Sequence, residues 1–173
     1  MSEADDKILI RLNAFSMRAI QVVFAARYKA GQRGANIIEV GDLLLGLVLE
    51  DKGMMGNLVS SMHEGKRPTS VLPLPSHSPF FSPQAADELL TRIENLLPQS
   101  QPIGHTIEVP LSADLERAFD AAKEVQDAFH HKQIEPLHLL AGVLTESSQL
   151  VKPLQELGIT KELVLQRLKA AES

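Results

Sequence analysis

Apolar residues recur every three or four positions along most of the chain, and this spacing predicts α-helices. A first apolar stripe follows Ser16, a residue suited to capping a helix N-terminus, and ends near Gly34. The stripe consists of Ala19, Val22, Val23, Ala26 and Ala30. A second predicted helix ends at Gly53 and carries on one face Leu43, Leu44, Leu47 and Val48. A third predicted helix carries Met54, Leu58 and Met62.

The same pattern returns 96 residues later without a gap. Nine residues between positions 15 and 50 are identical to their counterparts: Ser16/Ser112, Ala25/Ala121, Ala26/Ala122, Ile38/Ile134, Glu39/Glu135, Leu43/Leu139, Leu44/Leu140, Gly46/Gly142 and Glu50/Glu146. Such self-similarity is typical of one structural unit built twice. We therefore predict an all-α fold of two tandem four-helix repeats, about eight helices, related by a pseudo-two-fold axis and sharing one core.

The fourth predicted helix is shifted between the two copies. Ser82 followed by Pro83 is a strong helix start, and its counterpart is Thr160. The offset between Ser82 and Thr160 is 78, so the first copy carries an insertion of about 18 residues, rich in proline. The predicted organisation is an N-terminal tail at 1–13, repeat 1 at 14–97 with the insertion at about 63–81, a linker at 98–110 and repeat 2 at 111–171, the two repeats forming one domain.

Composition excludes several classes of function. The 173 residues have a net charge of −5, no tryptophan and only 4% aromatic residues, which is unlike a surface that binds nucleic acid. No apolar run reaches the roughly 18 residues that span a bilayer, and the acidic N-terminus does not resemble a signal peptide. The absence of cysteine fits a reducing compartment. We expect a cytoplasmic protein with no nucleic-acid, membrane, metal or cofactor partner, while the oligomeric state stays open.

Few residues are candidates for catalysis. The chain lacks the Gly-x-x-x-x-Gly-Lys-Ser/Thr phosphate-binding loop, so ATP hydrolysis would need a partner. Ser16 and Ser112 have no identifiable base and no Gly-x-Ser-x-Gly elbow, so we interpret both as helix caps. Adjacent histidines such as His130 and His131 would point about 100° apart on a helix and chelate a metal poorly. We predict no enzymatic activity.

Other polar and aromatic residues allow two interpretations each. Glu39 and Glu135 either complement the dipoles of the helices they precede or form a symmetric pair of acidic spots for basic peptides. His138 either bonds to a helix end or loop carbonyl, or belongs to a binding groove. Phe80 and Phe81 either pack onto the following helix as a hydrophobic staple or form an exposed hook for a partner.

The duplicated motifs resemble the Clp N-terminal repeat domain over roughly residues 14 to 170. That family's pattern is an aromatic-Ser/Thr opening, an alanine-rich helix ending in Gly-His, an isoleucine, and Thr-Glu-His-Leu-Leu-Leu-Gly-Leu. The corresponding segments here are Phe15-Ser16, Ile38 to Glu50, Leu111-Ser112, Ile134 to Leu144, and Leu157-Gly158-Ile159-Thr160. The family occurs at the front of Clp-type protein-unfolding ATPases and in stand-alone accessory proteins. The resemblance implies a module that binds substrate proteins, an adaptor or a Clp unfoldase or protease.

The resemblance also implies a binding surface in the groove between the copies. Its expected residues are Ser16, Glu39, Gly41, Asp42, Ser112, Glu135, Leu137 and His138, with Phe80 and Phe81 beside them. In the family's bacterial unfoldases a glutamate in each copy helps to bind phosphorylated arginine, but Gly41 and Leu137 stand at those positions here. Neither can pair with a guanidinium, so we do not expect phosphoarginine binding.

Two other functions stay open at this stage. The chain could be a small-ligand sensor or an enzyme with a pocket between the repeats, which a deep apolar cleft with converging polar groups would favour. It could also regulate a Clp protease by occupying its docking site, as the family's stand-alone members imply. Binding to the proteolytic core instead of the ATPase would identify that role.

Overall fold

All regular secondary structure in the described residues, 12–54, 79–101, 109–145 and 151–170 of the computed structural model, is helical. The helices are α1 (Met17–Gln32), α2 (Val40–Asp51), α3 (Pro83–Leu96), α4 (Ala113–Ala128), α5 (Pro136–Thr145), α6 (Lys152–Glu156) and α7 (Lys161–Ala170). The predicted all-α class is therefore confirmed. The predicted third helix and most of the proline-rich insertion lie outside the described residues, so the count of eight helices and the repeat boundaries stay predictions.

The helix starts follow the capping residues that the sequence indicates. The Oγ of Ser16 accepts a hydrogen bond from the amide of Ala19 at 3.2 Å, and the Oγ of Ser112 accepts one from Leu115 at 3.1 Å. The Oγ of Ser82 and the Oγ1 of Thr160 accept the equivalent bonds of α3 and α7 at 3.2 and 3.3 Å. Each such bond satisfies an amide that has no partner within its helix, which typically stabilises a helix by about 1 kcal/mol.

Equivalent glycines permit two close helix crossings. In the N-terminal half, residues 12–101, α1 packs on α2, and in the C-terminal half, residues 109–170, α4 packs on α5. A Cβ atom added at Gly46 would lie 2.4 Å from the carbonyl oxygen of Val22, and one at Gly142 would lie 2.2 Å from that of Ala118. Real Cβ contacts are essentially never so short. The identity of Gly46 and Gly142 therefore has a packing reason that applies in both halves.

Two short backbone bridges connect the two halves. Phe15 forms a parallel bridge with Ile134, and Ile38 forms one with Leu111. Each bridge maps onto the other by the 96-residue offset, because 15 corresponds to 111 and 38 to 134. The bonds are Ser16 N to Ile134 O at 2.9 Å, Ile134 N to Ala14 O at 2.8 Å, Ser112 N to Ile38 O at 2.9 Å and Ile38 N to Pro110 O at 2.8 Å. The residues before the first helix of one half are thus held by those before the second helix of the other.

One apolar core joins both halves, and α2 lies at its centre. Every residue of α2 is buried, whereas the sequence pattern predicts a single apolar face. The difference arises because α2 contacts helices on several sides: α1 and α3 of its own half and α4 and α5 of the other. Phe15 and Phe119 meet edge to face across the two halves, with ring centroids 5.6 Å apart. No described helix combines the length and apolar character needed to cross a membrane.

Candidate functional site

The start of α2 is held by a buried ion pair. The amide of Glu39 donates to Oδ2 of Asp42 at 2.9 Å, and Asp42 is fully buried. Arg33 donates to both oxygens of the same carboxylate, from Nε at 2.9 Å and from Nη2 at 2.7 Å, and its Nη1 also donates to the carbonyl of Pro98 at 3.3 Å. The hydrogen bond to Asp42 is the main reason that the pKa of Arg33 is raised, so the guanidinium stays charged.

The start of α5 is held by two histidines at the equivalent place. The amide of Glu135 donates to Nδ1 of His138 at 2.7 Å, and Nε2 of His138 lies 2.7 Å from Nδ1 of His131. The His131 ring stacks on Phe129, with centroids 5.5 Å apart. His138 is fully buried, and burial, followed by the nearby His131 ring, lowers the pKa of His138 to about 4. His138 thus acts in its own half as Asp42 does in the other.

A groove of about 580 Å³ opens beside the histidine pair, between α2, the start of α5 and the residues that precede α3. It is lined by Arg18, Leu47, Glu50, Asp51, Phe80, Phe81, His131, Lys132, Gln133, Glu135, Pro136, Leu137, His138, Leu140 and Leu168. Both halves contribute, with α1, α2 and the residues before α3 on one side and the residues 131–140 and α7 on the other. The lining combines leucine, proline and phenylalanine with charged residues at the edge.

The charged residues on one side of the groove are fixed by their partners. Arg18 donates to Glu50 through Nε at 2.7 Å and through Nη2 at 3.0 Å, and Glu50 is only 3% exposed. Burial alone would lower the pKa of Arg18, but the hydrogen bond and charge of Glu50, together with the charges of Glu135 and Asp51, outweigh it and the pKa is raised. The carboxylate of Asp51 accepts the backbone amides of Phe80 at 2.7 Å and Phe81 at 3.0 Å. Asp51 thereby fixes the residues that lead into α3.

The structure brings half of the predicted site residues into the groove. Those that line it are Glu135, Leu137, His138, Phe80 and Phe81. Those that lie elsewhere in the fold are Ser16, Glu39, Gly41, Asp42 and Ser112. The groove is therefore built from the end of α2 and the start of α5, not from the starts of the equivalent helices in both halves.

Burial corrects several of the predicted roles. Ser16, Gly41 and Asp42 are buried, so they support the helix starts and cannot contact a partner. His138 lines the inner wall and is fully buried. Its hydrogen-bond partners are the Glu135 amide and the His131 ring, whereas one of the two interpretations from the sequence expected a carbonyl partner. The exposed-hook hypothesis is wrong for Phe81, which is 6% exposed and packed in the core.

The remaining predicted residues keep some exposure. Phe80 is half-buried and meets Phe81 edge to face at 5.2 Å, with the guanidinium of Arg167 above its ring. Glu39 is 41% exposed at its side chain and lies 3.9 Å from Arg33. His130 is exposed at a positive φ of 56°, while His131 faces inward to His138. Among the described residues no group of three or more metal-binding side chains forms.

The sequence reasoning missed Arg18, Glu50 and Asp51. Glu50 carried a signal, because it is identical to Glu146 at the repeat offset. Arg18 and Asp51 carried none, since their partners lie 32 and about 30 residues away and a charged residue on a helix is usually solvated. A long-range ion pair is not visible in a single sequence.

Comparison with known proteins places the fold. No family model and no curated protein matches the chain. A solved structure from preliminary structural investigations of a malarial protein secretion system superposes with a TM-score of 0.67 at 17% identity, covering 91% of this chain and 94% of that one. The N-terminal domain of the caseinolytic protease-associated chaperone ClpD from Arabidopsis thaliana superposes with a TM-score of 0.61 at 18% identity, covering 94% of this chain and 99% of that one. The chain therefore has the fold of a Clp N-terminal domain.

Proposed function

We propose that this chain is a non-enzymatic protein-interaction module that binds a short segment of a partner polypeptide in the groove. The partner is a client protein, an adaptor, or a Clp-type unfoldase or protease. The observation that carries the proposal is the groove itself, an open cleft between the two halves of a Clp N-terminal fold with an apolar floor and a charged edge. Apolar centres with polar rims are typical of surfaces that recognise proteins.

The floor of the groove can take an apolar side chain. Leu47, Leu140 and Leu168 come from three different helices and converge there, with Leu137 half-buried at the edge. A single well-buried leucine or phenylalanine of a partner gains about 1.5–3 kcal/mol from leaving water. A few such anchors account for most of the affinity in many protein interfaces.

The walls are held in place before any partner arrives. Asp51 fixes the backbone of Phe80 and Phe81 through two hydrogen bonds, and Glu50 fixes the guanidinium of Arg18 through two more. A rigid, preformed site loses less conformational entropy on binding than a mobile one. The same bonds support the non-enzymatic part of the proposal, because Glu50 and Asp51 are already occupied as acceptors and are poorly placed to act as general bases.

The proposal does not include phosphoarginine as a ligand. Gly41 is buried within α2, and Leu137 contributes apolar surface to the groove. The carboxylate that would pair with a guanidinium is missing from both positions. We expect apolar contacts to dominate recognition.

Two matched substitutions test the proposal. Leu137→Asp places a charge in the groove at the first turn of α5, where an acidic residue is compatible with the helix dipole. Phe24→Asp places the same charge at an apolar residue that is 43% exposed and does not line the groove. Binding is measured by fluorescence anisotropy with an unfolded model polypeptide, a purified Clp-type unfoldase and the proteolytic core.

We expect the unmodified protein to bind at least one of these partners, Leu137→Asp to weaken that binding about tenfold or more, and Phe24→Asp to leave it unchanged. The identity of the partner that binds distinguishes a client-binding role from regulation of the protease. Absence of binding to all three, or equal binding by the two variants, would overturn the proposal.

One observation favours a second candidate function, a small-ligand sensor. The volume of the groove, about 580 Å³, lies within the range of roughly 300–1,000 Å³ that is typical of ligand pockets. A thermal-shift screen with metabolites separates the two. A saturable rise in the melting temperature that Leu137→Asp abolishes would favour the sensor.

A further inference from the structure

The histidine pair at the start of α5 has a fixed arrangement of protons. A backbone amide can only donate, so Nδ1 of His138, which accepts from Glu135, carries no proton. The proton of a neutral His138 therefore sits on Nε2 and is donated to Nδ1 of His131. That leaves the proton of a neutral His131 on its own Nε2. Both rings are uncharged in this network, and each bond has one donor and one acceptor.

An added proton cannot be accommodated at this cluster without breaking a bond. Protonation of His138 at Nδ1 places a hydrogen against the amide of Glu135. Protonation of His131 at Nδ1 places a hydrogen against the hydrogen on Nε2 of His138. Full burial of His138 opposes the charged form further, in keeping with its lowered pKa of about 4. Proton uptake is therefore coupled to opening of the network.

The equivalent place in the N-terminal half lacks this property. There Asp42 accepts the amide of Glu39, and its partner is Arg33, a permanently charged guanidinium. The two helix starts have the same geometry and opposite chemistry. One is a carboxylate paired with a guanidinium, and the other is a histidine that must stay neutral to accept the amide.

The histidine pair also forms part of the wall of the groove. The charged groups that share this lining are Arg18 from α1, Glu50 and Asp51 from α2, and Lys132 and Glu135 from the same loop. Two uncharged residues at the end of α4 contact His131: Phe129 stacks on the ring, and Nε2 of Gln126 donates to the His131 carbonyl at 3.1 Å. From α7 the lining residue is the apolar Leu168.

We propose that the His131–His138 pair is a proton-sensitive switch that keeps the start of α5 and the adjoining wall of the groove closed at neutral pH and lets them open progressively as the pH falls. In the closed state both rings are neutral and Glu135 donates to His138. In the released state the network carries at least one extra proton, and the first turn of α5 has lost its cap. The switch concerns the wall of the groove and does not depend on which partner binds there.

Hydrogen exchange followed by NMR on the full chain tests the switch without any partner. The protection factor of the Glu135 amide, corrected for the intrinsic exchange rate, is compared at about pH 7.5 and about pH 5. At pH 5, about 1.5 units below the ordinary histidine pKa of about 6.5, a proton binds to the histidine in the opened network and favours opening. The protection factor of the Glu135 amide should therefore fall roughly 30-fold between the two pH values. The Glu39 amide, bonded to Asp42, is the internal control and should change much less.

His138→Asn supplies the matched variant, since an amide oxygen can accept from Glu135 at any pH and does not titrate. We expect the protection of the Glu135 amide in this variant to be nearly equal at the two pH values. Three results would each overturn the switch: equal protection of the Glu135 amide at both pH values in the unmodified protein, the same fall at Glu39, or the same fall in His138→Asn. If that variant does not fold, the two amides of the unmodified protein decide the matter alone.

Discussion

The buried pair of Arg33 and Asp42 offers the sharpest test of how the fold is held. Replacing Arg33 with methionine keeps much of the side-chain volume and removes the guanidinium. Asp42 would then remain at zero exposure with only the Glu39 amide as a partner, after losing two charged hydrogen bonds of 2.9 and 2.7 Å. Stranding a buried charge in this way typically costs 3–5 kcal/mol. For a domain whose total stability is about 5–15 kcal/mol, that is a large fraction.

The assay is urea denaturation at neutral pH followed by far-UV circular dichroism. We expect Arg33→Met to lower the free energy of unfolding by about 3–5 kcal/mol, and the double variant Arg33→Met with Asp42→Asn to recover about 2 kcal/mol of this loss. The recovery has a physical reason: asparagine can still accept the Glu39 amide but carries no charge. A loss below about 1 kcal/mol, or a double variant no more stable than the single one, would refute the reasoning.

Further predictions concern helix packing, backbone conformation and pH. Gly142→Ala should lower the melting temperature clearly, with a cost of about 1–3 kcal/mol, because its Cβ would meet the carbonyl of Ala118; an unchanged melting temperature would contradict the close crossing. His130→Gly should raise stability by about 0.5–1 kcal/mol in urea denaturation, because His130 has a positive φ of 56° where Gly34 stands in the other half; a loss would show that the histidine side chain stabilises the turn. The unfolded chain takes up a proton at His138 below about pH 6.5 but the native state does so only near 4, so the free energy of unfolding should fall by up to about 3 kcal/mol across that range. His138→Asn should flatten this part of the pH profile, and an unaltered slope would contradict the assignment.

The elements that depend on local chemistry could be predicted from the sequence. The capping roles of Ser16, Ser82, Ser112 and Thr160 are set by residues within three positions of each helix start, and all four are confirmed. The 96-residue offset also identified Gly46 and Gly142 as equivalent before their packing was known. Local signals of this kind survive because a helix start forms the same bonds in any tertiary context.

The groove could be predicted only in part, because its walls are distant in sequence. Arg18 pairs with Glu50 across 32 residues, and Asp51 anchors Phe80 across 29. Nothing in the spacing of these residues indicates that they meet. Asp42, expected on a symmetric surface at the starts of equivalent helices, is instead buried against Arg33, which the sequence did not single out.

The histidine network shows a limit of periodicity arguments. His131 and His138 are seven residues apart, which on a continuous helix would place them on one face. Instead α4 ends at Ala128, His130 adopts a left-handed conformation, and the chain turns before α5 starts at Pro136. The contact depends on that turn, whose left-handed position is usually a glycine and is His130 here.

Site-specific photo-crosslinking tests the central claim, that the groove binds polypeptides, most directly. A photoreactive phenylalanine analogue is placed at Leu137 in the groove and, as the control, at the exposed Phe24 outside it. Each protein is irradiated with the partner that binds in the anisotropy assay. The account predicts crosslinks from position 137 and few or none from position 24. Equal crosslinking at both positions, or crosslinking from position 24 alone, would contradict it.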